Sequence, residues 1–480
     1  MKNRYIQKEC LKGKLFMILL EKFNSGQKIK QATGYYAFVP NKINDIWKWE
    51  SSDINFLLEK ANLELGELNS FADLIPNVDV YIKMHIRTEA NKSSRIEGTK
   101  TSIEEDMSDI EDISPEKRND YIEVHNYINA LNHGIYKITS GELPISSRLI
   151  KEIHSILLRG TRGENKYPGE YRISQNWIGG SMPSNAKHVP PPYFMLDELM
   201  SDFEKFMHND DLKIPHLLKI AILHYQFETI HPFSDGNGRV GRLLIPLYLL
   251  DKKMLKKPCF YISNFFEKNR IDYYDCLNRV REKNNILTWT LFFLNGVIST
   301  AQDAKNKFHQ VVQLVKEYEN TLNTSVKGSW ENKSKILNAF YNEPILRVNQ
   351  IIEKTNLSKA TISNILKSFI ENEILLDGEL KSGEYEIDGN ISSQFITGLL
   401  FSLPLLNGNS KIIIKGKLES SSYIDITLDC LNKFGIKIIN NSYQEFIIEG
   451  NQTYKSGNYQ VEADYSQVAF FLVANSIGSN

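Results

Sequence analysis

The twelve residues "HPFSDGNGRVGR" (231–242) constrain this chain more than any other stretch. One histidine, one aspartate, one asparagine, three glycines and two arginines lie between two apolar segments. His224, Phe227 and Ile230 recur at helical spacing, so a buried helix is predicted to run up to Pro232 and stop there, where the missing N–H and fixed φ oppose its continuation. Gly236 and Gly238 permit backbone turns and close approaches that a Cβ would block. A new helix starting near Gly238 and running through "RVGRLLIPLYLL" turns its free N–H groups and positive dipole end toward the bend, which makes an anion site. Arg239 and Arg242, three apart, project toward the same end of that helix, and guanidinium forks suit phosphate oxygens.

The other side chains of the bend add chemistry. Asp235 is placed to hold a divalent cation, since Mg²⁺ commonly takes one or two carboxylates and completes its shell with phosphate and water. His231, whose imidazole titrates near neutral pH, can take a proton from an incoming hydroxyl. Taken singly, His-Pro is a helix end, Gly-Asn-Gly a turn, and two helical arginines a solvated face. Together within one bend they describe a hydroxyl attacking a nucleotide phosphate.

This stretch resembles the signature of the Fic family, His-x-Phe-x-Asp-Gly-Asn-Gly-Arg-x-x-Arg, at every fixed position. The flap "GEYRISQNWIGG" and the later "FFEKNRIDYYDCLNRVRE" are also similar to family segments, and the resemblance runs from about Thr33 to Ser325. It implies an all-helical core whose members mostly transfer AMP from ATP to a hydroxyl side chain of a protein. By that resemblance His231 is the general base and Asp235 the magnesium ligand. Gly236, Asn237 and Gly238 form the anion hole, Arg239 contacts the phosphates, and Arg242 grips the γ-phosphate. Tyr273 and Tyr274 either line the nucleotide pocket or pack in the core. A close variant keeps these residues and moves another nucleotide monophosphate, or removes AMP.

Upstream, "SSRIEGT" (93–99) sets Ser93 and Glu97 four apart on one helix face that Gly98 would end. By itself this is a surface helix end. Beside the bend it resembles the inhibitory motif of Fic proteins, Ser/Thr-x-x-x-Glu-Gly/Asn, in which the glutamate pairs with the second signature arginine. Carried over, Glu97 pairs with Arg242, competes for the guanidinium and repels the nucleotide's tail. An autoinhibited enzyme is expected.

At 480 residues the chain has room for about three domains. A net charge of −1 gives no overall attraction to nucleic acid or anionic membrane. Cys10, Cys259, Cys276 and Cys430 show no metal-ligand spacing and fit a reducing compartment. The apolar runs 243–250 and 395–406 are shorter than the ~20 residues a bilayer requires. A cytoplasmic location is expected, with no membrane partner. The N-terminal "MKNRYIQKECLKGKLFMILLEKF" reads as an amphipathic helix, and "GEYRISQNWIGGSMPSNAKHVPPPYFML" (169–196) as a hairpin flap turning at 179–185.

Residues 333–380 give three short helices with Ser358 as N-cap of the third, and resemble the winged-helix segment that often follows a Fic domain. Lys359, Ser363, Asn364 and Lys367 face outward; Ile362, Ile365, Leu366 and Phe369 face inward. Intramolecular or homodimer packing is favoured over DNA binding, because phosphate contacts need a basic footprint that is thin here. The alternative function is a nucleotide-sensing DNA-binding regulator. The tail, 383–480, alternates strand and helix patterns and resembles an internal slice of 5-enolpyruvylshikimate-3-phosphate (EPSP) synthase. There Ser392, Ser393 and Gln394 match a substrate-phosphate run, and Ser420 and Tyr423 a further substrate pair. The family's N-terminal lysine, later acid/base residues and phosphoenolpyruvate-binding arginines have no counterpart. The tail therefore reads as part of one sequence joined to another, unable to run that reaction.

The expected fold is mainly α: a Fic helical core with a β-hairpin flap, a winged-helix-like domain and a small truncated α/β tail. The boundaries are 1–115 for the helical region with the inhibitory motif, 116–325 for the Fic domain, 330–380 and 383–480. ATP and Mg²⁺ are the implied small partners, with a protein target that the sequence does not name.

Overall fold

Two helices meeting at a sharp bend occupy the middle of the molecule. In the computed structural model, α7 (His216–Ile230) is buried on every side from Leu217 onward, and α8 (Asn237–Asp251) nearly so. A helix apolar all round belongs in a core and not on a surface. The structure describes residues 16–456, apart from 75–77, 109, 111–112, 327, 376–379, 390–392, 417 and 419–420. It divides into two compact units, Met1–Ile374 and Leu375–Asn480.

The first unit wraps α7 and α8 in helices. Ahead of them come α1 (Ser52–Leu74), α2 (Val78–Ile96), α3 (Ile103–Met107), α4 (Arg118–Thr139), α5 (Ser147–Leu158) and α6 (Leu196–His208). Behind them come α9 (Ser263–Lys268), α10 (Arg270–Lys283) and the 39-residue α11 (Ile286–Thr324). α2 ends where expected, with Gly98 at φ +105°. Two small sheets cover one end: β1 (Met17–Leu19) runs parallel to β4 (Ile46–Lys48), and β2 (Gly26–Lys30) antiparallel to β3 (Tyr36–Pro40).

Two expectations change here. Residues 1–15 of the predicted N-terminal helix lie outside the described residues, and the rest of it is β1 followed by a 3-10 turn, Leu20–Lys22. Leu20 and Phe23 are buried, with the Phe23 ring 5.0 Å from Trp47, so pairing with β4 satisfies the backbone and packing decides the conformation. The flap turns where predicted, but its ladder is a single antiparallel bridge, Ile178↔His188. The prolines at 190–192 remove the donors that a longer hairpin needs. Arg172, only 2% exposed, holds the flap instead, donating to the carbonyls of His231 (3.0 Å), Ser174 (3.1 Å) and Pro191 (2.5 Å).

The unit closes with α12 (Trp330–Asn342), α13 (Val348–Thr355) and α14 (Lys359–Glu371), the three helices expected. Ser358 caps α14 by accepting from the Thr361 N–H. Ile362, Ile365 and Phe369 are buried, Leu366 partly so, and Lys359, Ser363, Asn364 and Lys367 are exposed, as the periodicity predicted. Among the described residues of 330–375 there is no strand. Lys333, 5% exposed, donates to the carbonyls of Leu322 (2.5 Å) and Val326 (2.9 Å) at the end of α11. Lys333→Ala leaves those acceptors buried without that donor, and is expected to cost about 1–3 kcal/mol. Denaturant melts should show this loss, while Lys335→Ala, on an exposed ion pair, moves the midpoint little.

The second unit is a four-stranded sheet in the order β5-β6-β8-β7. β5 (Glu384–Asp388) runs parallel to β6 (Ser410–Lys415), and β8 (Glu445–Ile448) pairs antiparallel with both β6 and β7 (Ile438–Asn441). Helices α15 (Ser393–Ser402) and α16 (Ser421–Lys433) share its core, through Ile396, Leu400, Ile424 and Leu431 against Ile412, Ile414, Phe446 and Ile448. β6, α16, β7 and β8 match the predicted order. The last expected helix lies outside the described residues.

Candidate active site

The bend between α7 and α8 is fixed by its own polar groups. His231 caps α7 in the left-handed region at φ +49°, its N–H donating to the Phe227 carbonyl at 2.9 Å. Gly236, at φ +75°, is the N-cap of α8, a conformation that costs least without a Cβ. The Asn237 side chain is committed to the bend itself, accepting from the Phe233 N–H and donating to the Phe233 carbonyl, both at 2.8 Å. Its part in an anion hole is therefore its backbone N–H at the first turn of α8. The Phe233 ring stacks on His154 at 3.7 Å. His154 accepts from the Gly169 N–H (2.9 Å), which leaves its other nitrogen to donate to the Asp235 carbonyl (3.1 Å). Burial lowers its pKa to about 4, which agrees with that neutral tautomer.

The predicted residues converge on this bend. Burial, reinforced by Arg172 and Arg281, lowers the His231 pKa to about 3, so the ring is neutral at physiological pH and keeps a lone pair able to accept a proton. Its Nδ1 is buried without a hydrogen-bond partner. Arg242, 1% exposed, donates to the Ser93 hydroxyl (2.8 Å), the Ser93 carbonyl (3.0 Å) and Glu97 Oε1 (2.7 Å). Burial works against both charges of that pair. Mutual attraction outweighs it, raising the arginine's pKa and lowering the glutamate's. A Cβ on Gly238 would stand 2.2 Å from Glu97 Oε1, so only glycine admits the carboxylate over the start of α8. Asp235 is half exposed, with one oxygen accepting from the Gly236 N–H at 2.6 Å.

The pattern missed three participants. Glu123 on α4 binds Arg239 at 3.0 Å, and its other oxygen meets Arg162 at 3.1 Å; Arg162 also reaches Asp120 at 2.8 Å. Glu228, buried on α7 beside Arg242, has an Oε1 without a hydrogen-bond partner, and burial raises its pKa to about 7. Arg281 on α10 donates to the Thr229 hydroxyl (3.1 Å) and the Glu228 carbonyl (3.3 Å). Two of these acids sit outside any signature, one on a distant helix and one inside an apolar run, and only three-dimensional proximity reveals them. Tyr273 lies in the core, its hydroxyl 2.9 Å from His224 Nε2, while Tyr274 is partly exposed with its ring 5.1 Å from Tyr273. Of the tail's candidates, Ser392 and Ser420 and the side chains of Ser393 and Gln394 lie outside the described residues, and Tyr423 is exposed.

A helix start on a helical scaffold thus gathers two buried arginines beside a neutral imidazole. Comparison with known proteins specifies it. Residues 144–249 match the Fic/DOC family model and residues 56–136 the Fic/DOC family N-terminal model, so this part of the chain is a Fic-type enzyme domain. Solved structures similar to it include a Fic family protein from Desulfovibrio desulfuricans (21% identity, 68% of this chain, 90% of that one, TM-score 0.45). Another is a Fic domain containing signaling protein from Bacteroides thetaiotaomicron (20% identity, 54% and 97%, TM-score 0.42).

Residues 357–479 match the EPSP synthase model, which begins at the turn before α14 and so reaches further upstream than the expected boundary at 383. Curated relatives of this segment are 3-phosphoshikimate 1-carboxyvinyltransferases. That of Clostridium beijerinckii is 52% identical over 144 residues (28% of this chain, 33% of that one), and that of Clostridium botulinum 61% identical over 107 (22% and 25%). The chain spans about a third or less of those relatives' length. Among the described residues no helix is long and apolar enough to cross a membrane.

Proposed function

We propose that the Fic-type domain transfers AMP from ATP to a hydroxyl side chain of a protein, itself included, and that Glu97 restrains it. One observation carries the reading: a buried arginine in the second turn of a helix is held by a carboxylate 2.7 Å away, in a place suited to a phosphate oxygen, near a neutral imidazole. The acceptor hydroxyl oxygen bonds to the α-phosphorus as the bond to the bridging oxygen breaks and pyrophosphate leaves. His231 receives the hydroxyl's proton. The backbone N–H groups of Gly236, Asn237 and Gly238, with Arg239 and Arg242, hold the phosphates.

Asp235 fits a role as magnesium ligand. Its carboxylate is half exposed at the bend, and no cluster of three or more acids, histidines or cysteines suited to hold a metal alone occurs among the described residues. A single carboxylate suits a cation that arrives with the nucleotide. Bound Mg²⁺ would offset phosphate charge.

The test uses purified protein and ATP labelled at either the α- or the γ-phosphate. Label is expected on protein from the α position alone, and His231→Ala should lower it by about 10²-fold or more. Transfer of the γ label, or labelling indifferent to His231→Ala, refutes the proposal. Parallel reactions with other labelled nucleotides separate ATP from its alternatives.

A further inference from the structure

Beside α2, one turn before Ser93, the Fic-type domain carries a cavity of about 130 Å³. Three elements line it: α2 through His85, Glu89 and Lys92; the stretch from Tyr261 to Asn269; and α11 through Ser299, Thr300, Asp303 and Lys307. A water needs only about 10–15 Å³ of such space, so there is room for a small molecule, while ordinary ligand pockets begin near 300 Å³ and a nucleotide is too large.

The lining is asymmetric in chemistry. Tyr261 is 6% exposed, and its hydroxyl has no hydrogen-bond partner. A buried hydroxyl left that way is costly, and an acceptor in the cavity would satisfy it. Lys268 and Lys307, both exposed at the lining, make no ion pair among the described residues. Lys92, the third ammonium, is held at 3.2 Å by Glu267. The acids are differently placed. Glu89 accepts from Tyr127 and from the hydroxyl and N–H of Ser263, so three donors already face its carboxylate. Asp303 is exposed. Deep donor, neutral hydroxyls on the wall and two uncommitted ammonium groups call for an oxyanion on a small polar body.

We infer that this cavity binds a small phosphate-bearing molecule, of the size of a phosphorylated three-carbon polyol, with Tyr261 donating to it and Lys268 and Lys307 facing its charge. Binding here does not rest on the adenylyl-transfer reading. The site's position gives it a consequence all the same: Lys92 immediately precedes Ser93, so an occupant would brace the turn of α2 that presents Ser93 and Glu97 to Arg242.

Calorimetric titration of the full chain tests this, with inorganic phosphate, glycerol 3-phosphate and uncharged glycerol as probes. Glycerol 3-phosphate is expected to bind, and phosphate alone to bind more weakly if the polar body contributes. Glycerol should not bind. Tyr261→Phe and the double variant Lys268→Ala/Lys307→Ala should each weaken binding at least tenfold, while Arg239→Ala, which removes an anion contact at the α8 cradle, should leave it unchanged. Loss of binding in Arg239→Ala with retention in the lysine variant would place the anion in the cradle and overturn the inference. So would an absence of heat with both phosphate probes. Circular dichroism of the lysine variant, altered only at exposed positions, excludes misfolding as the cause of lost binding.

Discussion

Replacing Glu97 with glycine is expected to raise self-labelling from ATP by about tenfold to thirtyfold. The estimate follows from the pair that is lost. Arg242 is 1% exposed on its side chain and Glu97 37%, so the contact lies between a buried and a surface ion pair, worth about 1.5–2 kcal/mol to any ligand that must displace it. Glycine removes the competitor and the negative field together. The same change leaves Arg242 buried with hydrogen bonds to the Ser93 hydroxyl and carbonyl, and Glu228 close by. The nucleotide-free variant should therefore unfold more easily than the parent, and ATP with Mg²⁺ should restore more stability to it than to the parent. Activity and stability thus move in opposite directions, which distinguishes a released restraint from general loosening. Unchanged labelling in Glu97→Gly removes the restraint from the mechanism, whether or not AMP transfer itself is observed in the parent.

Why the Glu97–Arg242 contact could be read from sequence, while Glu123 and Glu228 could not, comes down to where information about a contact resides. The bend is local: helix stop, glycine N-cap and two arginines fall within twelve residues, so spacing alone placed them. Ser93 and Glu97 share a helix face by periodicity, and their meeting with Arg242 across 145 positions came from the family resemblance and from nothing in the spacing. Glu123 holds Arg239 from 116 positions away with no motif around it, and Glu228 sits in a helix so uniformly apolar that one acid reads as a surface position. The N-terminal segment misled for a different reason. Its three-residue strand is set by pairing with β4 and by burial of Phe23 on Trp47, and tertiary contacts override short-range pattern in pieces that short. In the tail, alternation of period found β6, α16, β7 and β8 but passed over β5, which follows the turn-rich "LKSG" and finds its register only by lying parallel to β6.

The Fic-type unit is expected to lose several kcal/mol of stability between pH 6.5 and pH 5, because it buries histidines that stay neutral. Burial lowers the pKa of His85 and His154 to about 4, that of His224 and His231 to about 3, and that of His188 well below the ordinary value. In the unfolded chain each titrates near 6.5. Below that value the unfolded state gains protons that the native state refuses, so stability present above pH 6.5 drains away as the pH falls toward the native values. At about 1.36 kcal/mol per unit, each histidine contributes a loss of up to roughly 2 kcal/mol by pH 5. Glu228 works the other way: burial raises its pKa to about 7, so the native state takes up a proton first and recovers up to roughly 2 kcal/mol over the same range. Asp45, Glu89 and Asp202, also raised by burial, act in the same sense, but four carboxyls do not offset five imidazoles. All five tryptophans precede residue 375, so tryptophan fluorescence follows this unit alone, and Trp289 stands 5.7 Å from His224. The urea midpoint read by that fluorescence should fall steeply between pH 6.5 and 5, and His224→Gln should flatten the slope even where it lowers the midpoint at pH 7. A midpoint independent of pH over that interval would mean that these rings find protons in the folded state, and the neutral His231 on which the proposed proton transfer depends would go with them.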